Sequence, residues 1–138
     1  LLQRVIKDKW GVTPSIIIPS LFFAVLHLAN DGIHVVAVLN LFLVGILFAL
    51  MVYATGSLWY AAAAHGAWNY VQGVIFGQQI SGIDLGGSLL RFDVISNNTL
   101  INGGAFGPEG SIIVTLILSL GIAYYYNKMK HKDREIIL

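Results

Sequence analysis

Between Lys9 and Arg91 the chain carries only two formal charges, Asp31 and Asp84. That near-absence of charge leaves little choice of fold. Four apolar stretches occur, at 14–29, 34–54, 57–77 and 111–126. Each is close to the ~17–25 residues that a bilayer-spanning helix needs. A soluble domain carries about 25% Asp, Glu, Lys and Arg, whereas here 11% of the 138 residues are charged and 57% are hydrophobic. A soluble globular protein and a disordered tail are thereby excluded. With no cysteine, so are a disulfide-stapled domain and any thiol chemistry. A net charge of +1 argues against a nucleic-acid partner, which selects a basic patch. In lipid a helix satisfies its own backbone groups. The expected fold is all-α: a polytopic integral membrane helix bundle of about four transmembrane helices in one domain, with a long loop at 78–110.

Four spans put both ends of the chain on one side. Arg4, Lys7 and Lys9 then join Lys128, Lys130, Lys132 and Arg134 in the cytoplasm, as the positive-inside rule requires. Trp10, Trp59, Tyr60 and Tyr124 to Tyr126 fall at that same boundary, where aromatic belts form. The opposite loops hold one Arg and no Lys. The expected location is an integral membrane protein with both of these ends cytoplasmic.

The punctuation is clear. Ala29-Asn30-Asp31-Gly32 is a turn by composition, and Thr55-Gly56-Ser57 ends one helix and caps the next. The segment 78–110 holds seven glycines, and loops of that length are functional, partly folded or disordered. Asn97-Asn98-Thr99 matches a glycosylation acceptor pattern, a cheap match. Ala61 to Ala64, and Gly73 with Gly77, are small residues suited to close helix packing.

Chemistry is expected where polar groups enter the apolar spans. His27 lies in the first span, one turn after Phe23. His65 lies in the third, with Asn69 one turn on and Gln72 extending the same face. At about 1.5 Å rise per residue, His27 is ~20 Å along its span and Asn69 ~18 Å along a parallel one. His65 lies about a turn below. Two imidazoles and a carboxamide suit peptide-bond hydrolysis by an activated water, with imidazole and Asn donors stabilising the oxyanion. The carboxylates Asp31, Asp84, Asp93, Glu109, Asp133 and Glu135 all fall outside the spans. The blander reading is one interhelical hydrogen bond for each polar residue, and it suits His34 and Asn40 better than catalysis does. His131 belongs to the basic tail. Zinc stays open through His27 and His65, which supply two of the three protein ligands a catalytic ion takes.

Phe23 to His27 resembles the second motif, F-x-x-x-H, of the CPBP family (the CAAX prenyl protease, Abi and bacteriocin-processing proteins). His65-Gly66-Ala67-Trp68-Asn69 is similar to its third, H-x-x-x-N/D. Gly103 to Gly110 looks like a loop recurrent in bacterial members. The resemblance implies an intramembrane endopeptidase in which His27 and a glutamate of the first motif, E-E-x-x-x-R, activate water. His65 and Asn69 then stabilise the oxyanion, Phe23 packs the motif, and Trp68 and Gln72 support it. That first motif is absent from these residues. The sequence opens Leu1-Leu2-Gln3-Arg4 without an initiator Met, so the expectation is a fragment cut before or within the motif and inactive alone. The implied partners are the bilayer, a protein or peptide substrate of the lipidated kind or otherwise, and accessory membrane proteins. The implied alternative is a non-catalytic bacteriocin-immunity or partner-binding protein. A small transporter half is disfavoured, because no internal repeat or broken span is found.

Overall fold

The computed structural model describes residues 2–92 and 98–135. Asp93 and the acceptor Asn97 lie outside the described residues. Six α-helices follow one another: α1 (Leu2–Trp10), α2 (Val12–Leu26), α3 (Val35–Thr55), α4 (Leu58–Asn69), α5 (Thr99–Asn102) and α6 (Ile112–Glu135). A π-helical turn, Tyr70–Ile75, continues α4, and 3-10 turns occupy Gly104–Phe106 and Pro108–Gly110.

The helical membrane bundle expected from the sequence is the observed architecture, with α3 packed between α2 and α6. Val35–Thr55 and Ile112–His131 are long and apolar enough to cross a membrane, while Val12–Leu26 is apolar but shorter. The helix boundaries correct the expected spans. The first ends at Leu26 rather than 29, because the backbone tightens there into 3-10 bonds from His27 N–H to Ala24 O and Leu28 N–H to Val25 O. The third is α-helical for 12 residues only before it widens into the π turn. The last continues to Glu135, because Lys, Arg and Glu end an apolar run without ending helix propensity. Helix α1 is an addition, since its two short apolar runs are too brief to signal a span.

Close approach of α2 and α3 depends on Gly45. A Cβ there would sit 2.8 Å from Ser20 Cα. Small residues allow backbones to meet in this way where lipid gives no hydrophobic drive between helices. The small residues Ala61 to Ala64 and Gly73 serve differently. Ala61 is buried but Ala62 to Ala64 are exposed, and Gly73 faces Ile80 and Leu85 of the following loop rather than another helix.

Two apolar clusters mark the ends of the bundle. Ile16, Ala49, Leu50 and Met129 form one, and beside it Gln3 Nε2 donates to Ala49 O at 2.9 Å. Lys7 stands 4.5 Å from the centre of the Tyr53 ring. The start of the chain and the end of α6 therefore share one end. Ala24, Ala37, Leu41 and Phe106 form the other cluster, with Phe106 fully buried.

The segment after the π turn is a hydrogen-bonded cap on this second end. Gly82 N–H donates to Phe106 O at 2.8 Å, and Asn30 Nδ2 donates to Ser81 O at 2.9 Å. His34 Nε2 bonds Gly103 O at 3.2 Å. Asn40, 2% exposed, donates to Glu109 O and Ser111 O and accepts from Thr115 Oγ1. His34 and Asn40 are thus hydrogen bonders that hold the cap.

Gly103 has φ 81°, and a Cβ there would collide with the Gly107 carbonyl oxygen. Gly86 has a similar φ of 75° but open space around it. The left-handed backbone costs a non-glycine residue roughly 1–2 kcal/mol. Gly86→Ala incurs that cost alone, whereas Gly103→Ala adds a main-chain clash. Thermal unfolding of the detergent-solubilised protein should therefore show a clearly larger loss of Tm for Gly103→Ala. Equal losses would mean that the cap contributes little to the fold.

Candidate active site

Helix α2 ends so as to leave one carbonyl free. In a continuing α-helix the His27 amide would bond Phe23 O. Here that amide turns to Ala24 O, and the orphaned Phe23 carbonyl is met at 2.7 Å by the His27 ring Nδ1. A carbonyl only accepts, so Nδ1 carries the hydrogen. In the neutral ring Nε2 is then the nitrogen with a free lone pair. The second nitrogen of an imidazole is set by what the first one bonds. His27 therefore stands at the C-terminal cap of α2, not deep in a span as its position in the apolar run suggested.

Phe23 joins the two histidines. Its ring centroid is 4.5 Å from that of His27 and 5.9 Å from that of His65. Phe48 of α3 approaches His65 from another side at 5.4 Å. Two aromatic contacts thus hold the His65 ring in place. Contact between Phe23 and His65 also sets the register of α2 against α4. His27 follows Phe23 by four residues, as Asn69 follows His65.

A cavity of about 190 Å³ is lined by Phe23, His27, Phe48, His65, Trp68 and Glu109, with Asn40 and Ser81 also on its wall. One water needs about 10–15 Å³ by this measure, so several waters or part of a peptide fit. Most of the remaining wall is aliphatic, from α3 and α6. The cavity lies toward the capped end, opposite the chain termini.

The structure brings together Phe23, His27, His65 and Trp68 from the sequence reading. Asn69 and Gln72 are not among the residues lining that cavity. Asn69 is the last residue of α4, and its Oδ1 is buried with no hydrogen-bond partner. Gln72 lies in the π turn. Its Nε2 donates to Gln79 O at 2.6 Å, and its Oε1 is also buried without a partner. π-Helical turns occur frequently at functional sites, and this one begins directly after Asn69.

Glu109 is the residue that the sequence reading put outside the site. It does lie outside every apolar span, but the cap folds it back over the cavity. The Trp68 Nε1–H donates to Glu109 Oε1 at 3.1 Å, while the Ser81 amide donates to Oε2 at 2.6 Å and the Ser81 hydroxyl to the same oxygen. The Gly-Pro-Glu-Gly stretch is the available signal in the sequence, as a recurrent loop with no role attached to it.

Zinc chemistry needs three protein ligands beside water. Among the described residues no group of three or more His, Cys, Asp or Glu side chains is arranged to hold a metal ion. Two imidazoles and a carboxylate already taken up by Trp68 and Ser81 do not make that donor set, so no step below passes through a metal.

A family model described as type II CAAX prenyl endopeptidase Rce1-like matches residues 1–71, which include Phe23, His27, His65 and Asn69. No curated protein matches the chain, and no solved structure matches it.

Proposed function

The chain belongs to the Rce1-like family of type II CAAX prenyl endopeptidases, a family of membrane-embedded proteases, and from that premise we propose that His27, His65 and Asn69 carry the hydrolysis of a peptide bond within the bilayer. The observation that supports this most is the pairing of His27 and His65 across Phe23 on one cavity, with His27 Nδ1 committed to a carbonyl and Nε2 left as the basic nitrogen.

In the reaction, water gives up a proton to the base formed by His27 Nε2 and the glutamate of the family's first motif. Its oxygen bonds the scissile carbonyl carbon. The oxyanion accepts from the His65 ring N–H and the Asn69 side-chain N–H. Collapse breaks the C–N bond, and the departing amine takes the proton. That glutamate motif is not among the 138 residues. Glu109 does not replace it, since three donors already occupy its oxygens. Without that glutamate these 138 residues by themselves are expected not to turn the peptide over.

The substrate is a lipid-modified peptide or protein, and the basic chain ends face the cytoplasm. The test uses proteoliposomes and an internally quenched, farnesylated peptide ending in a C-a-a-X box. The full-length protein should cleave it and the 138-residue chain alone should not. Cleavage by the isolated chain would overturn the need for an added glutamate. Failure of the full-length protein on this peptide would overturn the substrate class.

A further inference from the structure

Glu109 is the one feature of the cavity wall that the peptidase reading leaves without a task. It stands in the turn Pro108–Gly110, away from every helix that carries a candidate catalytic group. Yet it ties three parts of the molecule together. Its main-chain carbonyl accepts from Asn40 of α3 at 2.7 Å. Its Oε1 accepts from Trp68 of α4. Its Oε2 accepts both donors of Ser81. Ser81 is the only non-glycine residue with positive φ among the described residues, at 47°. Strained backbone of this kind persists where surrounding contacts over-determine it, and it clusters at functional sites.

Helix α4 needs such a tie. Ala61 is its only buried residue, so packing alone fixes its rotation weakly. Phe23 and Phe48 hold it at His65. The next hold is Trp68, three residues after His65 and one before Asn69. Rolling α4 about its axis carries the indole away from the carboxylate and breaks a charge-assisted hydrogen bond, roughly twice as strong as a neutral one.

We propose that Glu109 is a positioning residue: through Trp68 it sets the rotation of α4, so that His65 faces the cavity it shares with His27. The proposal rests on the endopeptidase reading for its effect on turnover, but its mechanical part stands apart from that reading. A general-base role is the rival. A carboxylate has about four acceptor positions, and three here are filled, which favours holding over proton transfer.

Two measurements test it. These residues contain no cysteine, so in a cysteine-free full-length background Ala63→Cys and Leu39→Cys accept spin labels on exposed positions of α4 and α3. The inter-label distance distribution should be narrow in the parent. It should broaden alike in Glu109→Gln and in Trp68→Phe, which keeps the ring but loses the N–H. Unchanged distributions in both variants overturn the proposal, whatever the protein's activity.

In the farnesylated-peptide assay each single variant should lose about tenfold in kcat, the order expected for one hydrogen bond to a charged group, with KM nearly constant. The double variant should be no worse than either single one, because both cut the same link. Additive losses overturn the shared-link mechanism. A collapse in Glu109→Gln alone, with Trp68→Phe unaffected, assigns the base role instead. The peptidase reading fails separately, if His27→Ala keeps its turnover.

Discussion

His27→Ala is expected to abolish cleavage of the farnesylated peptide to within background, a loss of about 10²–10⁴ in kcat, the range that one positioned general base or acid supplies. The site explains why the loss falls on turnover. Nδ1 is pinned to Phe23 O at 2.7 Å, so ring orientation and tautomer are fixed before substrate arrives. Alanine removes the proposed base and leaves the Phe23 carbonyl without its ring partner at a half-buried cap. His27→Gln separates the two roles, since its amide N–H can reach back to a carbonyl but its oxygen is a very weak base. Both variants should insert in the membrane and elute like the parent. Turnover retained in His27→Ala removes His27 from the mechanism. Turnover recovered in His27→Gln leaves it only as an orienting residue.

What was legible in the sequence was whatever depends on local periodicity. The apolar runs gave the helices, and Thr55-Gly56-Ser57 gave the stop and start between α3 and α4: Gly56 takes φ 72° at the cap and Ser57 Oγ accepts from Trp59 N–H. Spacing of four residues gave the Phe23/His27 pair, which the structure brings into contact, while Asn69, expected at the depth of His27, does not line the cavity. Two kinds of fact were not legible. Hydropathy does not reveal that α2 ends at Leu26, because the switch to 3-10 bonding changes no residue's polarity. Nor does it reveal long-range return. Glu109 is 41 residues from Trp68 and 28 from Ser81, and a charged residue in a glycine-rich loop reads as solvated until the loop is seen to cap the bundle. Asn40 reads as a hydrogen bonder from its place in an apolar span, but its partner Glu109, 69 residues away, does not.

Asn69→Ala should cut kcat by about 10²–10³, the usual loss for one oxyanion-hole donor, and yet leave thermal stability unchanged or raised. Two effects with opposite signs meet in this residue. Its Oδ1 is buried with no partner, and a buried polar group left unpaired costs about 1–3 kcal/mol. Alanine removes that cost, and it favours the helix by a few tenths of a kcal/mol over asparagine. In the proposed oxyanion role the Nδ2 donors serve only when charge develops on the substrate oxygen, so their loss is expected in the transition state and not in the resting protein. A residue retained for structure behaves the other way: truncation lowers Tm. Parallel measurement of kcat and Tm on Asn69→Ala therefore decides between them. Reduced Tm with unchanged kcat makes Asn69 a packing residue and leaves His65 as the sole oxyanion donor of this chain. Reduced kcat with intact Tm places the cost of an unsatisfied buried oxygen where the chemistry uses the rest of the side chain.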